Sequence, residues 1–419
     1  MPYGRVLLMY KIKFFFWLFL GVGLAAPVCA QDIKNNNCIV CHADQWEQMK
    51  GSIHVQHQIT CDRCHGGDPA KEDMEEAKAP GTNFIGIPNK VQVAEKCGGC
   101  HADVETMNFY GLPTDQLARY KTSAHGKLLF ARGDEHGAVC SDCHGYHDVV
   151  SVIDPQSPVY PLNLPVTCNR CHGDKAVMAP YKHPTDIFEK YKKSVHGVAL
   201  FEKGDLSVAN CAKCHGSHGA MPPGVKEIGA TCGKCHINEK KYFLESPHAG
   251  AAEEGYFPEC AACHDYHAIQ KPSTALYDTA CLNCHGEEDE AFQRGRKIRT
   301  MIDASSQTLA VAEETVRQAA TEGIFVDEET AALEEARTSV LEMAPRQHAL
   351  SVETIAELYG KAAALTQDIQ NGIRAKRQSL RWRKIALVPL WIFIFLMVVV
   401  LQMKYNELKG KKDERDPRA

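Results

Sequence analysis

Apolar residues are arranged in two different ways along this chain. Two continuous apolar runs lie near the ends, at residues 14–26 and 385–403. Residues 290–384 instead carry apolar positions at heptad spacing: Ile302, Leu309 and Val316, and then Ile355, Leu358, Ala362, Leu365 and Ile369. Such spacing is typical of helices that pack on one another. We predict two or three long helices here, with breaks at Gly323 and at Ala344 and Pro345.

The apolar run at residues 385–403 carries no charge, and Trp391 and Tyr405 suit the two membrane interfaces. A helix that spans a bilayer needs about 20 apolar residues, so this run predicts a transmembrane helix. The alternative is a buried helix in a soluble core. Basic residues flank the run on both sides, so the positive-inside rule does not set its orientation.

The run near the N-terminus differs because it is shorter. A basic segment that ends at Lys13 precedes the apolar residues 14–26, and small residues follow at 28–30. This pattern predicts a secretory signal peptide over residues 1–30. In an alternative interpretation, Cys29 is a lipid-modified N-terminal residue of the mature protein.

Between the two ends, the cysteines dominate the sequence. The chain has 19 cysteines, and all except Cys29 occur as Cys-x-x-Cys pairs that histidine follows directly. The nine motifs are Cys38, Cys41 and His42; Cys61, Cys64 and His65; Cys97, Cys100 and His101; Cys140, Cys143 and His144; Cys168, Cys171 and His172; Cys211, Cys214 and His215; Cys232, Cys235 and His236; Cys260, Cys263 and His264; Cys281, Cys284 and His285.

Each motif has the spacing that attaches haem covalently. The two thiols add to the vinyl groups of haem, and the histidine binds the iron as its proximal ligand. Zinc is the alternative, but zinc would use two cysteine pairs per ion and would not require histidine after every pair. We therefore predict nine covalent haems c. Because haem c is attached outside the cytoplasm, the chain must be exported, in agreement with the signal peptide.

The motif region is repetitive. A Ser-x-His segment followed by two motifs recurs four times, and we call each such unit a module. The Ser-x-His histidines of modules one to four are His54, His125, His196 and His248. The first motifs of the modules begin at Cys61, Cys140, Cys211 and Cys260, and the closing motifs at Cys97, Cys168, Cys232 and Cys281. One leading motif, at Cys38, precedes the four modules.

Recurrent histidines outside the motifs are candidate distal ligands of the iron. They are the four Ser-x-His histidines and three histidines that stand three residues after a proximal histidine: His147, His218 and His267. The first module has Asp68 at this second position. Two further ligands are needed for nine haems, and His57, His136, His183 and His348 are the candidates, each of which has an ordinary surface histidine as its alternative.

Ligation by two histidines saturates the iron and is typical of low-potential haems that relay single electrons. No Cys-x-x-Cys-Lys motif occurs, so the lysine-ligated haem of pentahaem nitrite reductases has no counterpart. We assign no catalytic residue. An open haem would indicate an enzyme instead.

The Ser-x-His-Gly segments followed by Cys-x-x-Cys-His-Gly-x-His resemble those of multihaem c-type cytochromes of the cytochrome c3-like and NapC/NirT-like families, over residues 38–285. With its C-terminal apolar segment the chain resembles the membrane-anchored multihaem subunit of bc-type quinol oxidoreductases. The resemblance implies an integral membrane cytochrome b, or another quinol-oxidising subunit, as partner. NapC-type proteins are anchored by an N-terminal helix, and this difference speaks against quinol oxidation by this chain alone.

The sequence thus predicts a mainly α fold: a haem-cored domain with little regular structure, a helical bundle or hairpin, and one C-terminal transmembrane helix. The expected layout is signal peptide 1–30, nine-haem domain 31–289, helical region 290–384, transmembrane helix 385–403 and cytoplasmic tail 404–419. The haem domain is expected in the periplasm and the anchor in the inner (cytoplasmic) membrane.

Three functions fit these features. The first is the relay of single electrons between the quinone pool and periplasmic redox proteins, with no nucleic-acid partner. The second is a reductase of nitrite, hydroxylamine or a sulfur oxyanion, which an open, high-spin haem would favour. The third is a component of an electron conduit through the envelope. The single apolar helix argues against it, because outer-membrane spans are barrels.

Overall fold

The structure is a computed structural model that describes residues 36–224 and 227–413. Helix accounts for 65% of it, and its described part contains no strand, which confirms a mainly α fold. The predicted signal peptide at residues 1–30 and the end of the predicted tail lie outside the described residues.

The motif region forms short α-helices of three to twelve residues, joined by loops and isolated 3-10 turns. Its helices are α1 (Cys38–Cys41), α2 (Ala43–Met49), α3 (Ile53–Gln56), α4 (Cys61–His65), α5 (Met74–Ala77), α6 (Lys90–His101), α7 (Val104–Phe109), α8 (Gln116–Thr122), α9 (Ala124–Gly126), α10 (Cys140–His144), α11 (Leu164–His172), α12 (Lys175–Met178), α13 (Ile187–Lys193), α14 (Val195–Phe201), α15 (Cys211–His215), α16 (Ile228–Cys232), α17 (Ile237–Phe243), α18 (Ala249–Glu253), α19 (Ala261–His264) and α20 (Leu276–Thr279).

Long helices follow the last motif: α21 (Glu290–Thr321), α22 (Asp327–Arg346), α23 (Val352–Ala386) and α24 (Val388–Asp413). Gly323 lies between α21 and α22 with a φ of 77°, so the predicted break at this glycine is confirmed. Pro345 lies inside the last turn of α22. The second break therefore falls a few residues later than predicted, at Leu350, which is left-handed with a φ of 53°.

Helices α21, α22 and α23 pack together through the predicted heptad positions. Val316, Ile369 and Ile373 are buried in one cluster, and Ile355 is buried in a second. Burying each such side chain stabilises the fold by about 1.5–3 kcal/mol. The side chain of Glu329 is buried as well, and Lys376 Nζ donates a hydrogen bond to it at 2.7 Å.

The C-terminal end of the described chain is a helix that is long and apolar enough to cross a membrane. From Val352 to Lys411 the chain is helical, with a window whose mean hydropathy is 2.7. None of that window is buried against the rest of the chain. A buried helix in a soluble core, the alternative for residues 385–403, is not what the structure shows.

The chain divides into two compact lobes. The N-terminal lobe contains the described residues up to Thr185 and the short segment Gly216–Met221. The C-terminal lobe contains Asp186–His215 and the described residues from Pro222 onward, including the long helices.

Candidate haem-binding sites

The first motif of each module forms a short helix that ends at the motif's histidine: α4, α10, α15 and α19. Residues three positions apart lie on the same face of a helix, so the two thiols of a motif project to one side. The residue after the histidine is left-handed in all four modules: Gly66, Gly145, Gly216 and Asp265, with φ between 64° and 82°. Glycine adopts this conformation most easily, which explains the recurrent Cys-His-Gly.

In the first three modules the Ser-x-His segment is a helix N-terminus that its serine caps. In the second module, Ser123 Oγ accepts a hydrogen bond from Gly126 N at 3.0 Å and donates one to the Tyr120 carbonyl at 2.7 Å. A Cβ on Gly126 would lie 1.9 Å from that carbonyl oxygen, so only glycine fits. The third module repeats each of these contacts through Ser194. The serine and the glycine together fix His125 between them.

Eight of the nine proximal histidines face a second imidazole. Their ring centroids lie between 6.0 and 6.3 Å apart. The pairs, with the proximal histidine first, are His101 and His54; His65 and His147; His172 and His125; His144 and His218; His236 and His196; His215 and His267; His285 and His248; His264 and His348.

This separation matches two imidazoles that bind one metal ion from opposite sides. A ring nitrogen binds a metal at about 2 Å and lies about 1 Å from the centre of its own ring, so opposed ligands have centroids about 6 Å apart. All seven predicted distal histidines therefore lie where a distal ligand would stand.

The pairs follow a rule that the sequence does not reveal. Each Ser-x-His histidine faces the closing motif of its own module. Each histidine that stands three residues after a proximal histidine faces the first motif of the preceding module; His147 of the second module, for example, faces His65 of the first. The fourth module has no successor, and His348 takes this place opposite His264. Neighbouring modules thus complete each other's sites.

Backbone hydrogen bonds hold these cross-module contacts in place. In the first three modules, the residue before the Ser-x-His histidine donates its N–H to the carbonyl of the residue two positions after the facing histidine of the next module. Ile53 donates to the Val149 carbonyl at 2.8 Å, Ala124 to Ala220 at 3.0 Å and Val195 to Ile269 at 2.8 Å. The repeat of one bond in three modules indicates that modules join in one way throughout.

The electrostatics of the pairs favour neutral imidazole, which is the form that binds metal. Burial lowers the pKa of both members of the pair His54 and His101. It likewise lowers the pKa of His125. His65 Nδ1 donates to the Gly86 carbonyl at 2.8 Å and His348 Nδ1 to the Pro345 carbonyl at 3.0 Å. In both rings Nε2 is then left to bind a metal.

The donor set fits haem better than a bare metal ion. Within residues 36–224 and 227–413, no group of three or more His, Cys, Asp or Glu side chains is arranged to hold an ion. Zinc would need about four such ligands. Two opposed imidazoles suffice when a planar macrocycle supplies the other four nitrogens. The buried Nδ1 of His147, which has no hydrogen-bond partner in the described chain, also fits a ring whose environment a bound group completes.

Three of the four remaining candidate histidines face no proximal histidine. His57 packs edge-on against Tyr110 at 4.8 Å, and His136 Nδ1 lies 3.1 Å from Asp134. His183 is exposed, as are the other two. The leading motif's His42 is the one proximal histidine with no imidazole opposite it among the described residues.

Successive motifs are neighbours within each lobe. In the N-terminal lobe a hydrogen bond between thiols raises the pKa of Cys97 and lowers that of Cys140. In the C-terminal lobe such a bond raises the pKa of Cys260 and lowers that of Cys232. Electrostatic interactions join further neighbours: Cys38 and Cys61, Cys64 and Cys100, Cys143 and Cys168, Cys214 and Cys235, and Cys263 and Cys281. The first five motifs and the last four are therefore each arranged in chain order.

No family model, no curated protein and no solved structure matches the chain. The functional argument therefore depends on the motifs and on the geometry of the histidine pairs.

Proposed function

We propose that the chain is a membrane-anchored cytochrome with nine covalent haems c that relays single electrons. The observation that carries this proposal is the set of eight opposed imidazole pairs, each with one member from a Cys-x-x-Cys-His motif. Haem iron between two histidines takes up and releases one electron. The protein's part is to hold both rings, keep them neutral and leave the iron no free position.

The chain-order arrangement of the motifs supports a relay. Cys97 and Cys140 belong to different modules, yet their thiols are within hydrogen-bonding distance. Haems attached at such neighbouring cysteines would lie with their edges close together. Electrons would then pass along the motifs within each lobe, in the order in which the chain presents them.

The partners follow from the anchor and from the resemblance described above. The C-terminal helix would hold the chain in the inner membrane, with the haem domain in the periplasm and residues 404–419 in the cytoplasm. An integral membrane cytochrome b, or another quinol-oxidising subunit, would supply electrons from the quinone pool. Periplasmic redox proteins would accept them.

Intact mass of the mature protein tests the proposal directly. We expect the polypeptide mass plus nine haems, all resistant to acid–acetone extraction. A double substitution, Cys140→Ser with Cys143→Ser, is the control and should reduce the count by one. Seven haems or fewer in the unmodified protein would contradict the proposal.

A second experiment separates relay from reductase. With its purified membrane partner, the protein should accept electrons from a menaquinol analogue. It should reduce neither nitrite nor hydroxylamine at a useful rate. Rapid turnover of either compound would favour the reductase instead.

A further inference from the structure

The leading motif, Cys38 to His42, differs from the other eight motifs in what faces its histidine. Eight proximal histidines have an imidazole about 6 Å away, whereas His42 has none among the described residues. Residues 1–35 contain no histidine that could take this place. His42 is also exposed at the surface.

The cross-module rule identifies the residue that has the sequence position of the missing histidine. The first motif of a module is completed from the next module, by the residue three positions after that module's first proximal histidine. For the leading motif, the next module is the first one, whose first proximal histidine is His65. The residue three positions later is Asp68.

The loop that carries Asp68 lies beside the leading motif, as the rule requires. Asn37 N donates to the Pro69 carbonyl at 2.9 Å, and Asn37 Nδ2 donates to the Ala70 carbonyl at 3.2 Å. Residues 69 and 70 therefore contact the residue directly before Cys38. The Asp68 carboxylate accepts a hydrogen bond from Ala70 N at 3.0 Å, within its own loop.

The side chain at this position is a poor substitute for histidine. Iron in haem favours imidazole, whereas carboxylate oxygen suits harder ions such as Mg²⁺ and Ca²⁺. Of the three histidines that face no proximal histidine, His57 packs on Tyr110, His136 interacts with Asp134 and His183 is exposed.

We infer that the leading haem has no protein histidine on its distal face, so that its iron can bind a small external ligand at this position. This inference rests on the proposed function, because it requires haem at Cys38 and Cys41. It adds one ligand-binding site, beside the Asp68 loop, to a series in which each of the other eight irons would lie between two histidines. An open haem is also the feature that would favour a reductase. Turnover of nitrite or hydroxylamine by the protein would therefore replace the relay by the enzyme, whereas ligand binding without turnover leaves the relay in place.

Carbon monoxide is the probe, applied to the reduced, full-length, haem-loaded protein. We expect one carbon monoxide bound per nine haems, and one high-spin haem in the oxidised protein. Added imidazole should convert that haem to low spin. Asp68→His should complete the pattern and abolish both carbon monoxide binding and the high-spin signal.

Glu72→His is the matched control. It also replaces a carboxylate with a histidine in the same loop, but four residues after Asp68, where the pairing rule expects no ligand. It should leave carbon monoxide binding intact. A triple substitution of His57, His136 and His183 by alanine should also change nothing. If the unmodified protein bound no carbon monoxide and the triple variant bound one, one of these three histidines would be the distal ligand of the leading haem, and the inference would be wrong.

Haem counting by mass keeps the two proposals apart. If the protein carried nine haems that were all low-spin and bound no carbon monoxide, the inference would be wrong. The proposed nine-haem cytochrome would be unaffected. A mass that lacks the haem at Cys38 would contradict the proposed stoichiometry itself. The wild-type measurement decides the inference even if Asp68→His prevents folding.

Discussion

The motif region, residues 38–285, and the helical region, residues 290–384, are both helical but are stabilised in different ways. In the helical region, seams of apolar side chains from three long helices bury one another. The motif region contributes one small apolar cluster of its own, around Ala94, Tyr120, Leu129 and Val139. Its helices have at most twelve residues, and about 12–15 residues are the minimum for a helix that is stable alone in water.

Large apolar side chains in the motif region instead lie near the histidines. Tyr146 precedes His147 and is 70% exposed, and its ring lies 5.1 Å from that histidine. Tyr266 repeats this arrangement beside His267. The difference teaches that the motif region has few apolar contacts of its own, and under the proposed function the haems would serve as its core.

Blocking haem attachment should have the largest effect and would separate the two regions. In cells that cannot attach haem, we expect residues 38–285 to remain unfolded and be digested by protease. The helical region should persist as a resistant fragment, because its main cluster needs no cofactor. Protein from haem-attaching cells, resistant throughout, is the control. Equal protease sensitivity of both regions without haem would remove the contrast.

Ile369→Ala should weaken the helical region alone. Ile369 is 1% exposed in a cluster formed only by the long helices. Loss of its side chain should lower the free energy of unfolding by about 2–5 kcal/mol. Val311→Ala, at a half-exposed position on α21, should change it by only about 0.5 kcal/mol. Circular dichroism during thermal unfolding measures both, and the haem absorbance of the folded protein should not change.

His147→Ala should open a haem in the preceding module rather than in its own. Its imidazole lies opposite His65, so the haem at Cys61 and Cys64 should become high-spin and bind carbon monoxide. His183→Ala is the control and should leave the spectrum unchanged. To identify the opened haem, the substitution is combined with Cys140→Ser and Cys143→Ser. Disappearance of the new high-spin signal in that combination would argue against cross-module ligation.

Mild acid should have the smallest effect and should act on the motif region. Burial lowers the pKa of His125 and His144 from the ordinary value of 6.5, so these rings bind fewer protons in the folded state than in the unfolded chain. Their contribution to stability is present above pH 6.5 and is lost as the pH falls below that value. Low-spin absorbance between pH 7 and 5 should therefore decline before the helical signal does. An opposite order would contradict neutral ligation.

Local patterns made much of this protein predictable. Heptad spacing predicted the long helices, because Val316, Ile355 and Ile369 lie on helix faces that the chain can form without distant partners. The second break lies just after the predicted position, because α22 ends at Arg346. A proline at the end of a helix can be accommodated in its last turn, and the left-handed Leu350 ends the helical path instead.

What the sequence by itself determined is therefore local. Two thiols and a histidine at fixed spacing define each candidate attachment site. Ser-x-His-Gly is equally local, since its serine caps its own helix and its glycine avoids its own preceding turn. Repetition of these segments also selected seven distal candidates, each of which the structure brings opposite a proximal histidine.

Only the tertiary structure decided which histidine faces which. His348, His57, His136 and His183 are chemically the same, and no spacing rule separates them. His348 faces His264 because the turn between α22 and α23 packs within the C-terminal lobe, near the last module. His147 faces His65, rather than a histidine of its own module, because that choice depends on how modules join through bonds such as that of Ile53 to Val149. Pairings between distant segments depend on contacts that sequence spacing does not encode.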